Sequence, residues 1–360
     1  MSERPRVLIC CNTAVREGYI AGEAVARLDA LADWEWLPSE GTSTRPGVWG
    51  GPSEDPADHE RLRARIGRCD ALLVCHGAPL IDAGILEAAP RLRLVGELEG
   101  DRFANRIDVE ACAARGVRVT DTTHGSSLPV AEWALGLMLV GLRNASMHYR
   151  RLIAGEHYRP NRDEDAGWRK SELTDARVGL IGLGHIGRRL TELLRPFRCR
   201  VSCHDPYVAK EVALAVGVTL TSLEHVLADS DVVVCCAPLT PKTRRMIGAR
   251  ELDLLPEDSV FVNVSRGPIV DPDALIARAR RGDVRVCLDV FDPEPIPADS
   301  EIRRLPNAFI TPHIASFSQL CRPRFFSFMV DELERFFAGH ETMFDITPRV
   351  LANRHGLAPV

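Results

Sequence analysis

The sequence predicts an α/β protein of two lobes, each built on a parallel sheet. Three observations carry this. First, 360 residues exceed what one hydrophobic core usually serves. Second, short apolar strands alternate with helical periodicity along nearly the whole chain, the pattern of parallel strands joined by helical crossovers. Third, the alternation falls into two series with a long helix between them and a further helix after the second. A chain that leaves one domain, completes another and returns predicts a cleft between two lobes, with residues 1–125 and 316–360 in one and 126–315 in the other.

In the first series the strands are RVLICC (6–11), WEWLP (34–38), ALLVCH (71–76), RLVGEL (93–98) and VRVTDT (117–122). Each is short, apolar and rich in β-branched or aromatic residues. EAVARLDALAD and IDVEACAARG between them have helical spacing. TRPGVWGGPSEDPA (44–57) is dense in Gly and Pro and reads as a surface loop or a flap. WALGLMLVGL (133–142) is about half a bilayer span. It reads as part of a buried helix from about Val130 to Ile153. The second series begins after Ala176 with RVGLIGL and continues through RVSCHD, DVVVCC, SVFVNV, VRVCLDV and AFITPH. RFFSFMVDELERFFAGH is the returning helix.

Composition narrows the function classes. Apolar content of 45% with 26% charged residues is ordinary for a globular chain. A net charge of −5 with no basic stripe argues against nucleic acid as a direct partner. The N-terminus MSERPRVLIC enters a strand at once without a signal-peptide core, which implies a cytoplasmic protein with no membrane association. The eleven cysteines are scattered, with no CxxC or Cys/His ligand spacing. Reduced, packed thiols and no metal site are the expectation.

The strongest single motif is VGLIGLGHIGRRL, Val178 to Leu190, which places GxGxxG at Gly182, Gly184 and Gly187 between a strand and a helix. The first glycine allows the tight turn, the second lets backbone approach a pyrophosphate, and the third lets helix pack on strand. The helix N-terminus adds N–H groups and a positive dipole for the anion. The next strand ends at Asp205, eighteen residues beyond Gly187. A carboxylate there suits a ribose diol and repels the 2′-phosphate of the phosphorylated cofactor, so NAD is expected rather than NADP. The plainer reading of Asp205 is that it opens the turn DPY.

Three later strands of the same domain end in side chains that suit chemistry, and ligands of open parallel sheets bind beyond such ends. FVNVSRG delivers Ser265 and Arg266, VCLDVFDPEP delivers Asp289 and Glu294, and AFITPHIAS delivers His313. Hydride transfer at a hydroxyl-bearing carbon needs a group to take the hydroxyl proton and a fixed cation to hold the substrate's acid group. Histidine suits the first task, with a reference pKa near 6.5. Arginine suits the second, with planar donors matched to a carboxylate. Taken singly, Arg266 could cap a strand end, Glu294 could be a solvated loop charge and His313 a core histidine. Their convergence behind a dinucleotide fingerprint favours general acid/base for His313, orientation by Glu294 and anion clamping by Arg266.

At these residues the chain resembles the D-isomer-specific 2-hydroxyacid dehydrogenases, the group of phosphoglycerate, D-lactate and glyoxylate/hydroxypyruvate enzymes. The resemblance runs from about Leu72 to Gly339. It is densest across GLIGLGHIGRRL, APLTPKTRRMIG, VNVSRGPIVDPDALIARARRGDVRVCLDVFDPEP and LPNAFITPHIA. It implies Rossmann-like or flavodoxin-like lobes, an active site in the interdomain cleft, and NAD-dependent hydride transfer between a D-2-hydroxy acid and its 2-oxo acid. Arg266 would bind substrate, Glu294 and His313 would form an acid/base dyad, and Asp289 would lie by the nicotinamide. His185 and Ile186 would lie along the pyrophosphate, and Val264, Ser265, Ala315 and Ser316 along the nicotinamide side. Pro238 and Thr243 of APLTPKT would also touch the cofactor. The resemblance further implies a substrate lobe made of the N-terminal third and the C-terminal helix, and a homodimer through the cofactor domain. Formate dehydrogenases of this fold replace the dyad glutamate by Gln, and Glu294 argues against that subclass.

The departures lie in the substrate lobe. The family commonly carries a GxGxDxID loop whose amides grip the substrate carboxylate, and this chain has ELEGDRFANRID, Glu97 to Asp108. Aligned on the final Ile-Asp, the glycine positions become Asp101 and Phe103; with a gap, Gly100 keeps one. Glu99 and Asp101 bring negative charge where a carboxylate should sit, and Arg102 offers a second cation for a larger or doubly charged acid. His76 and His124 fall on loops near the expected cleft as further candidate contacts. The expected substrate is a small anionic acid other than plain lactate. Two alternatives stay open: the same fold acting on phosphite or a phosphonate, and an NAD-sensing, corepressor-like binding module.

Overall fold

Two wholly parallel sheets organise the chain, as alternating strand and helix patterns require when each crossover carries the chain back to the same sheet edge. The computed structural model describes residues 4–42, 51–157, 159–160, 172–355 and 357, so positions 44–50 of the Gly/Pro loop lie outside the described residues. The chain divides into one unit that runs to Ser126 and resumes at Ser318, and a second unit spanning Ser127–Phe317.

The first unit opens with β1 (Arg6–Cys11), α1 (Thr13–Gly18), α2 (Glu23–Leu31), β2 (Asp33–Pro38) and α3 (Pro56–Arg65). It continues through β3 (Ala71–Val74), α4 (Ala83–Glu87), β4 (Leu94–Glu97), α5 (Val109–Ala114) and β5 (Arg118–Asp121). The five strands lie in the order β2-β1-β3-β4-β5. Every residue of β3 and β4 is buried, the mark of strands covered on both faces. Polar caps set the helix starts: side chains of Asn12, Asp55, Asp82 and Asp108 each accept a first-turn N–H.

The second unit begins with α6 (Ser127–Leu142) and α7 (Ala145–Ile153). One helix from about Val130 to Ile153 was the expectation; the structure breaks it at Asn144, which turns left-handed with φ 45°. Asparagine tolerates that conformation because its short polar side chain can bond locally. There follow β6 (Arg177–Ile181), α8 (His185–Leu194), β7 (Arg200–His204), α9 (Lys210–Ala215), β8 (Thr219–Leu220) and α10 (Leu223–Ala228). Then come β9 (Val232–Cys235), α11 (Ala249–Asp253), β10 (Val260–Asn263), α12 (Pro272–Arg280), β11 (Arg285–Leu288) and β12 (Ala308–Ile310). The strand order is β12-β11-β10-β9-β6-β7-β8. The edge strand β8 has only two residues, too few to show a pattern in sequence.

Among the described residues the stretch Thr123–Leu142 is long and apolar enough to cross a membrane by length and composition. In the structure α6 is a core helix: Ala134, Leu137 and Met138 are fully buried in one cluster with Val178, Leu180, Val260 and Val262. All eleven cysteines are free thiols, and every one except Cys199 is buried.

The chain then re-enters the first unit as α13 (Cys321–Phe337) and α14 (Pro348–Arg354). Phe325, Phe326, Met329, Val330 and Leu333 on α13 join Val7, Ile9, Leu73 and Leu94 in one buried cluster on one face of that sheet. Leu8, Leu72 and Val95 pack with Leu62, Ile85 and Cys112 in another. The returning helix is therefore part of the first core. Phe326→Ala, at a side chain with no exposure, is expected to destabilise the first unit by about 3–5 kcal/mol. Denaturant melts would check this; a loss below about 1 kcal/mol would show that α13 is dispensable to the core.

Candidate functional site

In the second unit the sheet reverses its winding between β6 and β9, and the glycine loop emerges there. Gly182 follows β6 with φ 96°, and a Cβ on it would stand 2.9 Å from the Ala237 backbone after β9. A Cβ at Gly187 would come within 2.5 Å of the Gly182 carbonyl oxygen. Neither position admits a side chain, for the two reasons the fingerprint requires: an unusual backbone and a close helix–strand approach. Gly184 is the N-cap of α8 and no side chain caps the helix, so its first-turn amides, with His185 and Ile186, suit a pyrophosphate. The residues present fit a dinucleotide.

Asp205 at the end of β7 accepts from the Leu183 amide at 2.8 Å with one oxygen and from the Tyr207 amide at 2.9 Å with the other. It thus opens its own turn and also ties down the glycine loop. Thr243 donates to the Pro238 carbonyl at 2.7 Å and accepts from the Thr240 amide at 2.7 Å, closing the loop after β9 on itself.

Three neighbouring strands, β10, β11 and β12, carry the remaining candidates to the same edge. After β10, the Asn263 side chain accepts from the Ser265 amide at 3.1 Å and donates to the Arg266 carbonyl at 3.2 Å. Val264 and Ser265 are buried, while Arg266 is half-buried. Sequence reading missed Asn263, although a strand-terminal Asn is a common turn-former.

After β11 stands Asp289, completely buried. One oxygen accepts from the Thr311 hydroxyl at 2.5 Å and the Ile314 amide at 2.9 Å; the other accepts from the Ala315 amide at 2.9 Å. Its carbonyl also accepts from the His313 amide at 2.9 Å. The resemblance set Asp289 beside the nicotinamide; the observed contacts make it the anchor of the loop that carries His313, Ala315 and Ser316. His313 itself is left-handed at φ 55°, a conformation that costs energy in a non-glycine residue and marks functional loops. Its Nδ1 lies 2.5 Å from Glu294 Oε1, and Glu294 Oε2 accepts from the Phe291 amide at 3.3 Å. A carboxylate only accepts, so Nδ1 carries the hydrogen and Nε2 is left for proton exchange.

In the first unit Glu99, one of the departures from the family loop, joins a polar network with His76. Arg106 and Glu97 are both fully buried and pair at 2.7 Å. Arg106 also donates to the Glu99 carbonyl at 2.9 Å and to His76 Nδ1 at 2.8 Å. His76 Nε2 lies 3.0 Å from Glu99 Oε2, which also accepts from the Tyr19 hydroxyl. Burial pushes the Glu97 carboxyl up to about 7 against the pull of Arg106. Burial also opposes ionisation of Glu99, yet the His76 and Tyr19 hydrogen bonds and the Arg106 charge hold it below the usual range. Cys75, His76 and Glu99 bring three donor atoms within 4.8 Å of one another. As arranged they do not suit a metal: Nδ1 is occupied by a guanidinium that only donates, Nε2 bears a proton, and burial raises the Cys75 thiol well above its ordinary value.

The loop itself is tightly held. A Cβ at Gly100 would lie 2.3 Å from the Glu97 side chain, and the Gly100 amide donates to Thr123 Oγ1 at 2.8 Å. Asp101, Arg102 and Ala104 are all left-handed, at φ 54°, 65° and 49°. The Arg102 carbonyl accepts from Arg354, and Phe103 stacks on His355 at 4.8 Å. Of the two candidate loop histidines, His76 belongs to this network. His124 is buried, stacks on Phe328 at 4.6 Å and meets Phe344 at a tilt of 35° and 3.6 Å. It is a core ring, and Arg106 and Tyr19 are network members that sequence reading overlooked.

The second unit is thus a dinucleotide-binding domain of an α/β oxidoreductase, and comparison with known proteins gives the family. Residues 135–315 match the family described as D-isomer specific 2-hydroxyacid dehydrogenase, NAD binding domain. A glyoxylate reductase of Aeropyrum pernix is 32% identical over 290 residues, covering 79% of this chain and 84% of the relative. A D-3-phosphoglycerate dehydrogenase of Methanocaldococcus jannaschii is 34% identical over 256 residues, 71% of this chain, which spans 47% of that relative's length. A phosphoglycerate oxidoreductase structure from Rhizobium etli shares the fold with a TM-score of 0.77 at 22% identity, covering 95% of this chain and 98% of the other. The chain belongs to the D-isomer specific 2-hydroxyacid dehydrogenases, a family of NAD-dependent oxidoreductases.

The buried ring of His124 has a pH consequence. Burial, with the Arg102 and Arg354 charges, lowers it to about 4 from an ordinary 6.5. The folded state therefore keeps it neutral while the unfolded chain takes up a proton below pH 6.5. The resulting stability is present above pH 6.5 and is lost as pH falls to 4. His124→Phe is expected to remove up to about 3 kcal/mol of the acid-induced loss across that window. Melting of both proteins from pH 7 to 4 checks this; parallel curves would refute it.

Proposed function

We propose that the protein is an NAD-dependent dehydrogenase that interconverts a D-2-hydroxy acid and its 2-oxo acid. The observation that carries the reading is His313. It is fixed in a left-handed turn by Asp289 and paired through Nδ1 to Glu294, beyond β12 of a dinucleotide-binding sheet in which β10, two strands along, delivers Arg266. The relatives named for glyoxylate and phosphoglycerate chemistry support a small acid as substrate.

When bound, NAD supplies or accepts the hydride at the substrate's C2. The protein's side chains do the rest. Arg266 grips the substrate carboxylate with its planar donors and fixes C2. In the oxidative direction His313 Nε2 removes the hydroxyl proton, and in reduction it returns that proton to the carbonyl oxygen. Glu294 holds the ring in the required tautomer and balances the imidazolium that forms. Asp205 is assigned to the adenosine ribose diol and Pro238, Thr243, Val264, Ser265, Ala315 and Ser316 to the rest of the cofactor. The first unit, with its returning helix, is assigned to substrate binding. Tyr149, Leu152 and Ile153 stand exposed on α7 and support a homodimer through the NAD-binding unit. The free, largely buried cysteines fit a cytoplasmic protein.

The test is NADH oxidation, followed at 340 nm, against glyoxylate, pyruvate, hydroxypyruvate, phenylpyruvate and oxaloacetate, with NADPH as the comparison. Turnover with NADH is expected on at least one of them. Removal of the proton carrier in His313→Ala should lower kcat by about 10²–10⁴ with NADH affinity retained. Arg266→Ala should raise KM as well as lower kcat. Retention of more than about a tenth of kcat by His313→Ala, with chemistry rate-limiting, would remove His313 from the reaction.

A further inference from the structure

The first unit has a switch point of its own. Its strand order β2-β1-β3-β4-β5 sends the chain one way from β1 to β2 and the other way to β3, and ligands of open α/β sheets bind beyond the strand ends at such a reversal. The segments leaving β1 and β3 meet there: the Asn12 amide donates to the His76 carbonyl at 2.7 Å. The Asn12 side chain is committed to the Val15 amide at 2.9 Å. The His76 network stands at the same point.

The network has a direction. A guanidinium can only donate, so His76 Nδ1 accepts from Arg106 and its Nε2–H points to Glu99; the Tyr19 hydroxyl donates to the same Glu99 oxygen. The inner end, Arg106 with Glu97, has no exposure, whereas the side chains of His76 and Glu99 keep 22% and 23%. The Arg106 charge is answered internally by Glu97. The outer end therefore offers a carboxylate, whose Oε2 accepts from His76 and Tyr19 while Oε1 accepts no hydrogen bond among the described residues. Asp101 and Arg102 follow with opposite charges, so the carboxylate of Glu99 sets the sign at this end. On the Tyr19 side, the Arg322 guanidinium stands 5.9 Å from the centre of the Tyr19 ring.

We propose that Glu99, positioned by His76 and Tyr19 at the switch point of the first unit, is a specificity-determining residue that selects an acid bearing a hydrogen-bond donor, a hydroxyl or an ammonium group, and rejects one bearing a second carboxylate or a phosphate. The proposal rests on the dehydrogenase reading above. An acidic side chain there forms a charge-assisted hydrogen bond with a donor and repels an anion, so selectivity arises from attraction and repulsion together.

The experiment compares kcat/KM for NADH-dependent reduction of hydroxypyruvate, pyruvate and oxaloacetate by the wild-type protein, Glu99→Gln and Tyr19→Phe. NADH affinity and melting are measured on each. The wild type is expected to favour hydroxypyruvate over oxaloacetate by at least about tenfold, and Glu99→Gln to shrink that ratio by about tenfold or more, chiefly through KM. Tyr19→Phe, which removes a single hydroxyl, should shrink it in the same direction and carries the test if Glu99→Gln fails to fold. A wild-type preference for oxaloacetate, or an unchanged ratio in the folded variants, overturns the assignment of Glu99 while leaving the dehydrogenase intact. NADH binding without turnover of any 2-oxo acid overturns the dehydrogenase reading and this inference with it.

Discussion

A buried carboxylate holds the second unit's candidate site together. Removing Asp289 from water costs several kcal/mol unless its oxygens are fully occupied, and here two amides and a hydroxyl occupy them. Each such bond to a charged group contributes about 1.5–3 kcal/mol. All three donors come from the segment after β12, so the requirement to satisfy one charge dictates the path of five residues. The left-handed turn at His313 is held by this arrangement rather than by any local preference of histidine. Thr311 extends the anchor to Trp133 of α6, whose indole lies 3.4 Å from the Thr311 hydroxyl. The loop is thereby referred back to the central core helix.

The first unit applies the same principle to different ends. Arg106 and Glu97 are buried as a pair, and the remaining donors of Arg106 reach out to His76 and the backbone of Glu99. A glycine-rich loop could present amides to a substrate carboxylate; this loop spends its geometry on accommodating a buried ion pair. Asp101, Arg102 and Ala104 are left-handed; Asp121 holds the Ala104 amide, Arg354 the Arg102 carbonyl, and Phe103 between them stacks on His355. The strained backbone and the unusual charge fall on the same short loop.

Much of the fold was legible because strands buried on both faces are short apolar runs, and their alternation with helices implies a parallel sheet. The dinucleotide fingerprint was legible for a local reason: a tight turn and a close packing contact both demand glycine at set spacing. Arg266, Glu294 and His313 could be nominated because each stands just past a strand. The expectation of a single helix from Val130 to Ile153 failed because an apolar pattern continues through Asn144 while the backbone does not. The two-residue β8 is shorter than any periodicity.

By itself the sequence determined the class of fold, the cofactor and the three residues proposed for the chemistry, since these follow from patterns a few residues long. Only the tertiary structure decided what those residues are bonded to. Asp289 meets its donors more than twenty positions away, and His76 meets Arg106 thirty positions away. Strand order, not sequence spacing, brings such groups within 3 Å. That is why the role of Asp289 as an anchor, the burial of His124 and the charge network of the first unit became visible only once the sheets were assembled.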